Sequence, residues 1–246
     1  MEGGFVMNNG LTAPKERFIY RVKFTKGEKV KFIGHLDVLR VFQRAIRRAG
    51  LPVAYSNGFN PHQLLSFASP LTLGMKSVGE YAEVEMKQAV DPKEIVEKLN
   101  KTMPEDMEIL KAVLLPQQTK NAMASVEGAL YEVTFFDEVK KEELKKILFD
   151  YEKQTSIVIL KKTKRGLKET DIHPDIWKIE LDETKEKAVL RLFLAAGSKQ
   201  NLKPDLVAQS ICRFMNIEYK PFSMQYKRLE LYKMENETLI PLMEEK

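Results

Sequence analysis

The sequence predicts an α+β protein made of two tandem ferredoxin-like halves, each with the element order β-α-β-β-α-β. Strand-like alternation and helix-like periodicity follow one another in this order between Phe18 and Leu115. The spacing repeats, because the two helices that open with proline, at Pro92 and Pro204, lie 112 residues apart and the first strands of the two halves are offset similarly. A length of 246 residues also suits two domains of common size.

Four strands and two helices are predicted in the first half. The strands, of which the second is the weakest, cover residues 18–24, 64–67, 80–86 and 107–113. Apolar residues recur at helical spacing from Leu36 to Ala49, and Gly50 follows as a stop signal. The second helix opens with Asp91 as its capping carboxylate and Pro92 at its first position.

The second half repeats these patterns with an insertion. The predicted strands are 130–136, 156–160, 176–181, 188–194 and 224–232. A Lys/Glu-rich helix is expected from Val139 to Tyr151, and another opens at Lys203-Pro204-Asp205. The insertion lies between Leu160 and Ile176.

These elements set the expected domain boundaries. Residues 1–16 are polar and rich in Gly and Asn, so we expect a disordered leader. Two domains, 17–115 and 129–235, follow, and 236–246 forms a tail. The stretch 116–128, rich in Gln, Thr, Asn, Ala and Ser, is expected to be a linker or a mobile loop.

Composition excludes several classes of protein. Hydrophobic residues make up 43% and charged residues 30%, which is typical of a globular chain and not of a disordered one. No run of about 18 apolar residues occurs, and the N-terminus lacks the layout of an export signal, so we expect a cytoplasmic protein without membrane contact. Cys212 is the single cysteine and the three histidines are scattered, so we expect no metal centre and no cofactor.

Basic and acidic side chains are segregated along the chain. The net charge is +5, but residues 12–65 hold eleven Lys/Arg against three Asp/Glu, whereas residues 80–110 hold four against nine. Such a basic block is typical of a protein that binds a polyanion. A Lys/Glu-rich surface can equally reflect solubility or thermal adaptation.

The predicted helix 36–49 carries an arginine row. Arg40, Arg44, Arg47 and Arg48 stand at i, i+4, i+7 and i+8, so they share the face opposite the apolar stripe. Guanidinium groups in a row repel one another unless phosphate lies across them, and each offers a planar fork to phosphate oxygens. The alternative is that they pair with acids of the second helix, such as Glu94 and Glu97.

A turn-rich loop follows this helix. Asn57-Gly58 and Asn60-Pro61 are turn-forming pairs, so Phe59 is presented on a tight loop beside Asn60 and His62. An aromatic ring next to hydrogen-bonding side chains suits base stacking and base-edge recognition, or contact with a small molecule. A structural alternative is that Phe59 plugs the core while Asn60 and His62 cap their own backbone.

Two further features are candidate sites. His35 precedes the arginine helix, where it is a candidate general base toward a ribose 2′-hydroxyl or, alternatively, a capping or core residue. The insertion holds a basic run that offers either a second phosphate contact or a plain solvated hairpin; its candidate residues are Lys161, Lys162, Lys164 and Arg165.

These segments together resemble the radical SAM-linked (radical SAM-associated) protein family, a domain of unknown function. The residues that carry the likeness are Phe32–Asp37, Arg40, Arg44, Arg47–Ser56, Gly58–His62, Pro70–Gly74 and Glu80-Tyr81, with thinner similarity at Lys164-x-Gly166, Asp171-Ile172-x-Pro174 and Lys203-Pro204-Asp205. Gln63 stands where the family has a proline. The resemblance implies an accessory protein of a radical SAM enzyme in an RNA-linked setting.

The leading hypothesis is therefore a cytoplasmic, RNA-binding or substrate-presenting partner of a radical SAM enzyme that is non-catalytic by itself. One alternative is a metal-independent endoribonuclease that uses His35, by analogy with repeat-processing nucleases of duplicated ferredoxin-like architecture. Another is a protein-interaction adaptor whose arginine row docks on an acidic surface.

Overall fold

The computed structural model describes residues 17–136, 139–163 and 166–243. The first half contains β1 (Phe18–Lys26), α1 (His35–Arg48), β2 (Leu65–Phe67), β3 (Lys76–Met86), α2 (Pro92–Asn100) and β4 (Ile109–Leu114). The order β-α-β-β-α-β predicted for this half is confirmed. Asp91 caps α2 as expected, because its side chain accepts a hydrogen bond from the Lys93 N–H at 2.9 Å.

The second half is longer and holds the predicted insertion. Its elements are α3 (Ala122–Ser125), β5 (Val126–Phe135), α4 (Lys141–Glu152), β6 (Val158–Thr163), β7 (Gly166–Asp171), β8 (Ile176–Leu181), β9 (Val189–Ala195), α5 (Pro204–Phe214), β10 (Met224–Glu235) and β11 (Thr238–Pro241). Within the described ranges, no helix is both long and apolar enough to cross a membrane.

Both halves contribute to one mixed sheet, so the protein is an α+β protein with a large sheet. The strand order is β4-β1-β3-β10-β5-β9-β8, with β2 paired to β3 and β11 paired to β10. The halves meet where β3 and β10 run parallel, with Lys76 opposite Lys227 and Ser77 opposite Arg228. We call this β3–β10 contact the junction.

The helices bury two hydrophobic clusters on this sheet. Phe42 of α1 and Leu99 of α2 pack with Val22 of β1 in the first cluster. Leu144 of α4 and Ile211 of α5 lie in the second cluster, together with core residues of β5 and β9. Each half therefore contributes its own pair of main helices, and the second cluster also extends into the first half through buried residues of β3 and of the segment before it.

The structure differs from the expected boundaries at three places. The proposed linker 116–128 includes α3 and the start of β5; Ala122 is buried and its N–H donates to Glu83 at 3.1 Å, so this part of the segment is packed and is not a linker. The proposed tail 236–246 includes β11, which pairs with β10. The strand predicted at 156–160 corresponds to β6, but β6 does not join the main sheet and pairs with β7 in a separate two-stranded sheet. The proposed leader 1–16 and residues 244–246 lie outside the described residues.

We expect Gly79→Ala to destabilise the junction. A β-carbon on Gly79 would lie 2.3 Å from the carbonyl oxygen of Leu229, and this backbone atom cannot move aside freely. The expected loss is about 1–3 kcal/mol in the free energy of unfolding, measured by urea denaturation. The control is Gly34→Ala, whose new β-carbon meets only Asp37 Oδ2 at 3.8 Å. Equal stability of the two variants would contradict this prediction.

Candidate nucleic-acid interface

Helix α1 presents its arginines to solvent because its opposite face is fixed in the core. Val38, Phe42, Ala45 and Ile46 are buried, and this apolar stripe sets the rotation of the helix. The four arginine side chains are all exposed; they are Arg40, Arg44, Arg47 and Arg48.

Few of these guanidinium groups are neutralised. Arg40 pairs with Asp37 at 2.9 Å, and both side chains are more than half exposed. Arg44 Nε donates to the carbonyl oxygen of Arg40 at 3.2 Å, and Arg48 Nη2 donates to the carbonyl oxygen of Thr102 at 2.6 Å. In the part of the chain that the structure describes, the guanidinium group of Arg47 has neither a hydrogen-bond nor an ion-pair partner. The face therefore keeps a concentrated positive charge.

Within the described residues, the arginine row does not pair with the acidic side chains of α2, as the alternative prediction required. Glu94 pairs with Lys98 of its own helix at 2.6 Å. Across the described ranges, neither Glu94 nor Glu97 forms an ion pair with the arginine row. The arginines thus remain available to an anion from outside the protein.

The loop after α1 is closed by Ser56 and His62. The Ser56 N–H donates to the carbonyl oxygen of His62 at 2.8 Å, and Ser56 Oγ lies 2.8 Å from His62 Nδ1. Gly58 has φ +113°, a conformation that favours glycine. Phe59 is 110% exposed, so it does not plug the core. Asn60 is exposed on the same loop.

Gln63 attaches this loop to the arginine helix. Its side chain is 4% exposed, and Nε2 donates to the carbonyl oxygen of Gln43 in α1 at 3.2 Å. Tyr55 and Gln63 also form a bridge at the base of the loop. The loop that carries Phe59 is therefore anchored at its base to the helix that carries the arginine row. Sequence reasoning noticed Gln63 only as a departure from the family pattern, because its partner lies twenty residues away.

A cleft of about 430 Å³ borders His62. Its polar lining includes Arg17, Ser66, Glu85 and Asn121. Arg17 Nη2 lies 2.5 Å from Glu85 Oε2, and this hydrogen bond raises the pKa of Arg17. Donors and acceptors around a cleft of this size suit the polar edge of a base or another small planar group.

His35 is the first residue of α1, but it neither caps the helix nor lies in the core. Gly34 occupies the N-cap position, no side chain caps it, and His35 is exposed. The imidazole packs edge-on against Phe67, with ring centroids 5.4 Å apart. It borders a small cavity of about 20 Å³ together with Lys26 and Glu80. Burial lowers the pKa of Lys26, whose Nζ donates to two backbone carbonyls. The proposed role of His35 as a general base remains a prediction.

The basic run of the insertion begins in the β6–β7 hairpin, and β6 contributes to the hydrophobic cluster of the second half. Lys161 and Lys162 lie in β6, whereas Lys164 and Arg165 fall outside the described residues. Ile159 of β6 belongs to the cluster of the second half, and α1 belongs to the cluster of the first. The structure therefore does not place this hairpin and the arginine row on a common core.

Among the described residues, no group of three His, Cys, Asp or Glu side chains is arranged to hold a metal ion. Cys212 lies buried in α5.

Comparisons with known proteins place the chain in a family without indicating an activity. No curated protein matches the chain. The crystal structure of an unknown protein from Galdieria sulphuraria has a TM-score of 0.25 and 11% identity, over 87% of this chain and 98% of that one. The crystal structure of the first two RRM domains of yeast poly(U) binding protein has a TM-score of 0.22 and 13% identity, over 85% of this chain and 98% of that one. At these scores neither likeness carries information on function.

The matching family model has wide coverage. It spans residues 19–204, well over half of the chain, and it includes α1 and its loop, the first hydrophobic cluster and the β6–β7 segment. The chain therefore belongs to the DUF2344 family, described as an uncharacterized protein conserved in bacteria.

Proposed function

We propose that the protein binds RNA through α1 and its loop, and serves as an accessory protein of a radical SAM enzyme without being catalytic itself. The observation that carries the proposal is the exposed arginine row, of which only Arg40 has a carboxylate partner within the described residues. Each free guanidinium fork matches the oxygens of a phosphate.

The loop favours RNA over an acidic protein surface. An acidic protein would satisfy the arginines but would leave the exposed ring of Phe59 without a role. An unpaired base can stack on that ring while the side chains of Asn60 and His62 contact its edge. Because the loop is closed on itself and held to α1 by Gln63, the backbone that carries these groups is already ordered before binding.

The family resemblance supports the link to a radical SAM enzyme. Cys212 is fully buried, so the iron–sulfur cluster would come from the partner enzyme. We also propose that the two halves are duplicated ferredoxin-like units. The order β4-β1-β3-β2 in the first half and β10-β5-β9-β8 in the second supports this, because elements with equivalent places in the chain occupy equivalent places in the sheet.

The salt dependence of RNA binding tests the proposal. We expect the logarithm of the association constant for a single-stranded RNA to fall linearly with the logarithm of salt concentration, with a slope of about −2 to −3 for three or four phosphate contacts. Fluorescence anisotropy of end-labelled RNA measures it. The absence of binding at low salt would contradict the proposal. Cleavage of the RNA without metal, lost in His35→Ala, would replace it with the endoribonuclease alternative.

A further inference from the structure

Three aromatic rings lie side by side on the part of the mixed sheet that the second half forms. Trp177 of β8 contacts Phe193 of β9 edge-to-face, with ring centroids 5.3 Å apart. Phe193 in turn contacts Tyr232 of β10 at 4.7 Å. Sequence analysis did not identify this cluster, because its members come from three strands that only the sheet order brings together.

These rings lie on the sheet face opposite the helices. Leu192 and Leu194 of β9 are buried in the core beneath α4 and α5, so Phe193 between them points to the other face. Trp177 reaches across β9 to β5, where a β-carbon on Gly128 would lie 2.3 Å from its Cζ3 atom. The glycine thus makes room for the indole, which remains 39% exposed.

The surroundings of Trp177 are charged. Lys178 lies opposite Phe193 in the β8–β9 pairing and forms an exposed ion pair with Glu180 at 2.5 Å. Arg191, half exposed, pairs with Asp182 at 3.1 Å. An apolar peptide docked here would have to desolvate these groups. A nucleotide would stack its base on the indole and offer its phosphate to Lys178 or Arg191, whose surface ion pairs are weak.

We propose that Trp177 is a stacking platform for an unpaired base of a single-stranded nucleic acid, with Phe193 and Tyr232 holding the indole in place. This inference rests on the proposed function, since it supplies a second contact for the same RNA. Stacking on an aromatic side chain strengthens binding by about 5- to 150-fold per base. It tolerates sequence changes, because every base has a π-face.

Trp177 is the only tryptophan of the chain, so intrinsic fluorescence reports on this platform alone. We expect acrylamide to quench it in the free protein. Titration with a single-stranded uridine oligonucleotide should also quench it, in step with the anisotropy of the same end-labelled RNA. Binding seen by anisotropy with unchanged tryptophan fluorescence would overturn the platform and leave the proposed function standing. An indole already shielded from acrylamide would also overturn it, by showing that another segment or protein covers the face.

Variants separate the platform from the arginine row. Trp177→Leu should weaken oligonucleotide binding about 10-fold, whereas Phe149→Leu, at an exposed aromatic residue of α4, should leave it unchanged. If the Trp177→Leu variant does not fold, quenching of the wild-type tryptophan fluorescence by the oligonucleotide still tests whether a base stacks on Trp177. Quenching that persists when Arg44 and Arg47 are both changed to Glu would support the platform even if α1 plays no part in binding. Absence of both signals overturns the platform and the proposed function together.

Discussion

Changing Arg44 and Arg47 together to Glu should reduce RNA affinity by about 100-fold or more at low salt. Both side chains lie on the exposed face of α1, and neither is held by a carboxylate in the described ranges. The double variant removes two cations and adds two anions beside the phosphate backbone. It should also make the salt dependence shallower, since each lost phosphate contact lowers the slope by about 0.7 for a single strand. Anisotropy titrations at several salt concentrations measure both effects.

The matched control is a second charge reversal far from α1 in the chain. Lys146 of α4 and Lys199, which precedes α5, are exposed, and changing both to Glu alters the net charge by the same amount. If affinity depends only on overall charge, both double variants will weaken binding equally, and α1 is then not the site. If the arginine row binds phosphate, the lysine variant should bind RNA nearly as the wild type does.

Local patterns were enough to predict α1 and the location of its arginines. The predicted helix 36–49 agrees with His35–Arg48 to within one residue at each end. The apolar stripe and the stop signal at Gly50 both depend only on residues that are close in sequence. The same periodicity fixed which face the arginines occupy. The exposure of the arginine side chains could therefore be predicted without any knowledge of the rest of the fold.

Features that depend on distant partners were not predictable in this way. Strand β11 forms because Thr238–Pro241 pairs with β10, and the short helix α3 is held by the hydrogen bond from the Ala122 N–H to Glu83, so neither has a strong local pattern of its own. Both β6 and β8 alternate as strands do, and only the sheet order shows which one joins the main sheet. The attachment of Gln63 to α1 depends on a contact of the same kind.

Changing Glu80 to Gln should destabilise the protein strongly, because it leaves a buried guanidinium at the junction without its countercharge. Arg228 and Glu80 are almost fully buried, and two hydrogen bonds join them, Nε to Oε1 at 2.7 Å and Nη2 to Oε2 at 2.5 Å. Burial acts to lower the pKa of Arg228, but the charge and hydrogen bonds of Glu80 outweigh it and the pKa is raised. Removing one partner of such a pair costs about 3–5 kcal/mol.

For a chain of this size, that loss corresponds to a fall in melting temperature of about 6–20 °C, measured by calorimetry. Glu94→Gln is the control, because the exposed Glu94–Lys98 pair should contribute less than about 1 kcal/mol. Replacing both buried partners, Glu80→Leu with Arg228→Met, should recover much of the loss, since no charge then remains unpaired. A Glu80→Gln variant as stable as the control would show that this pair does not hold β3 against β10. The junction would then depend on the backbone pairing of Ser77 with Arg228 and on the close approach of Gly79 to Leu229.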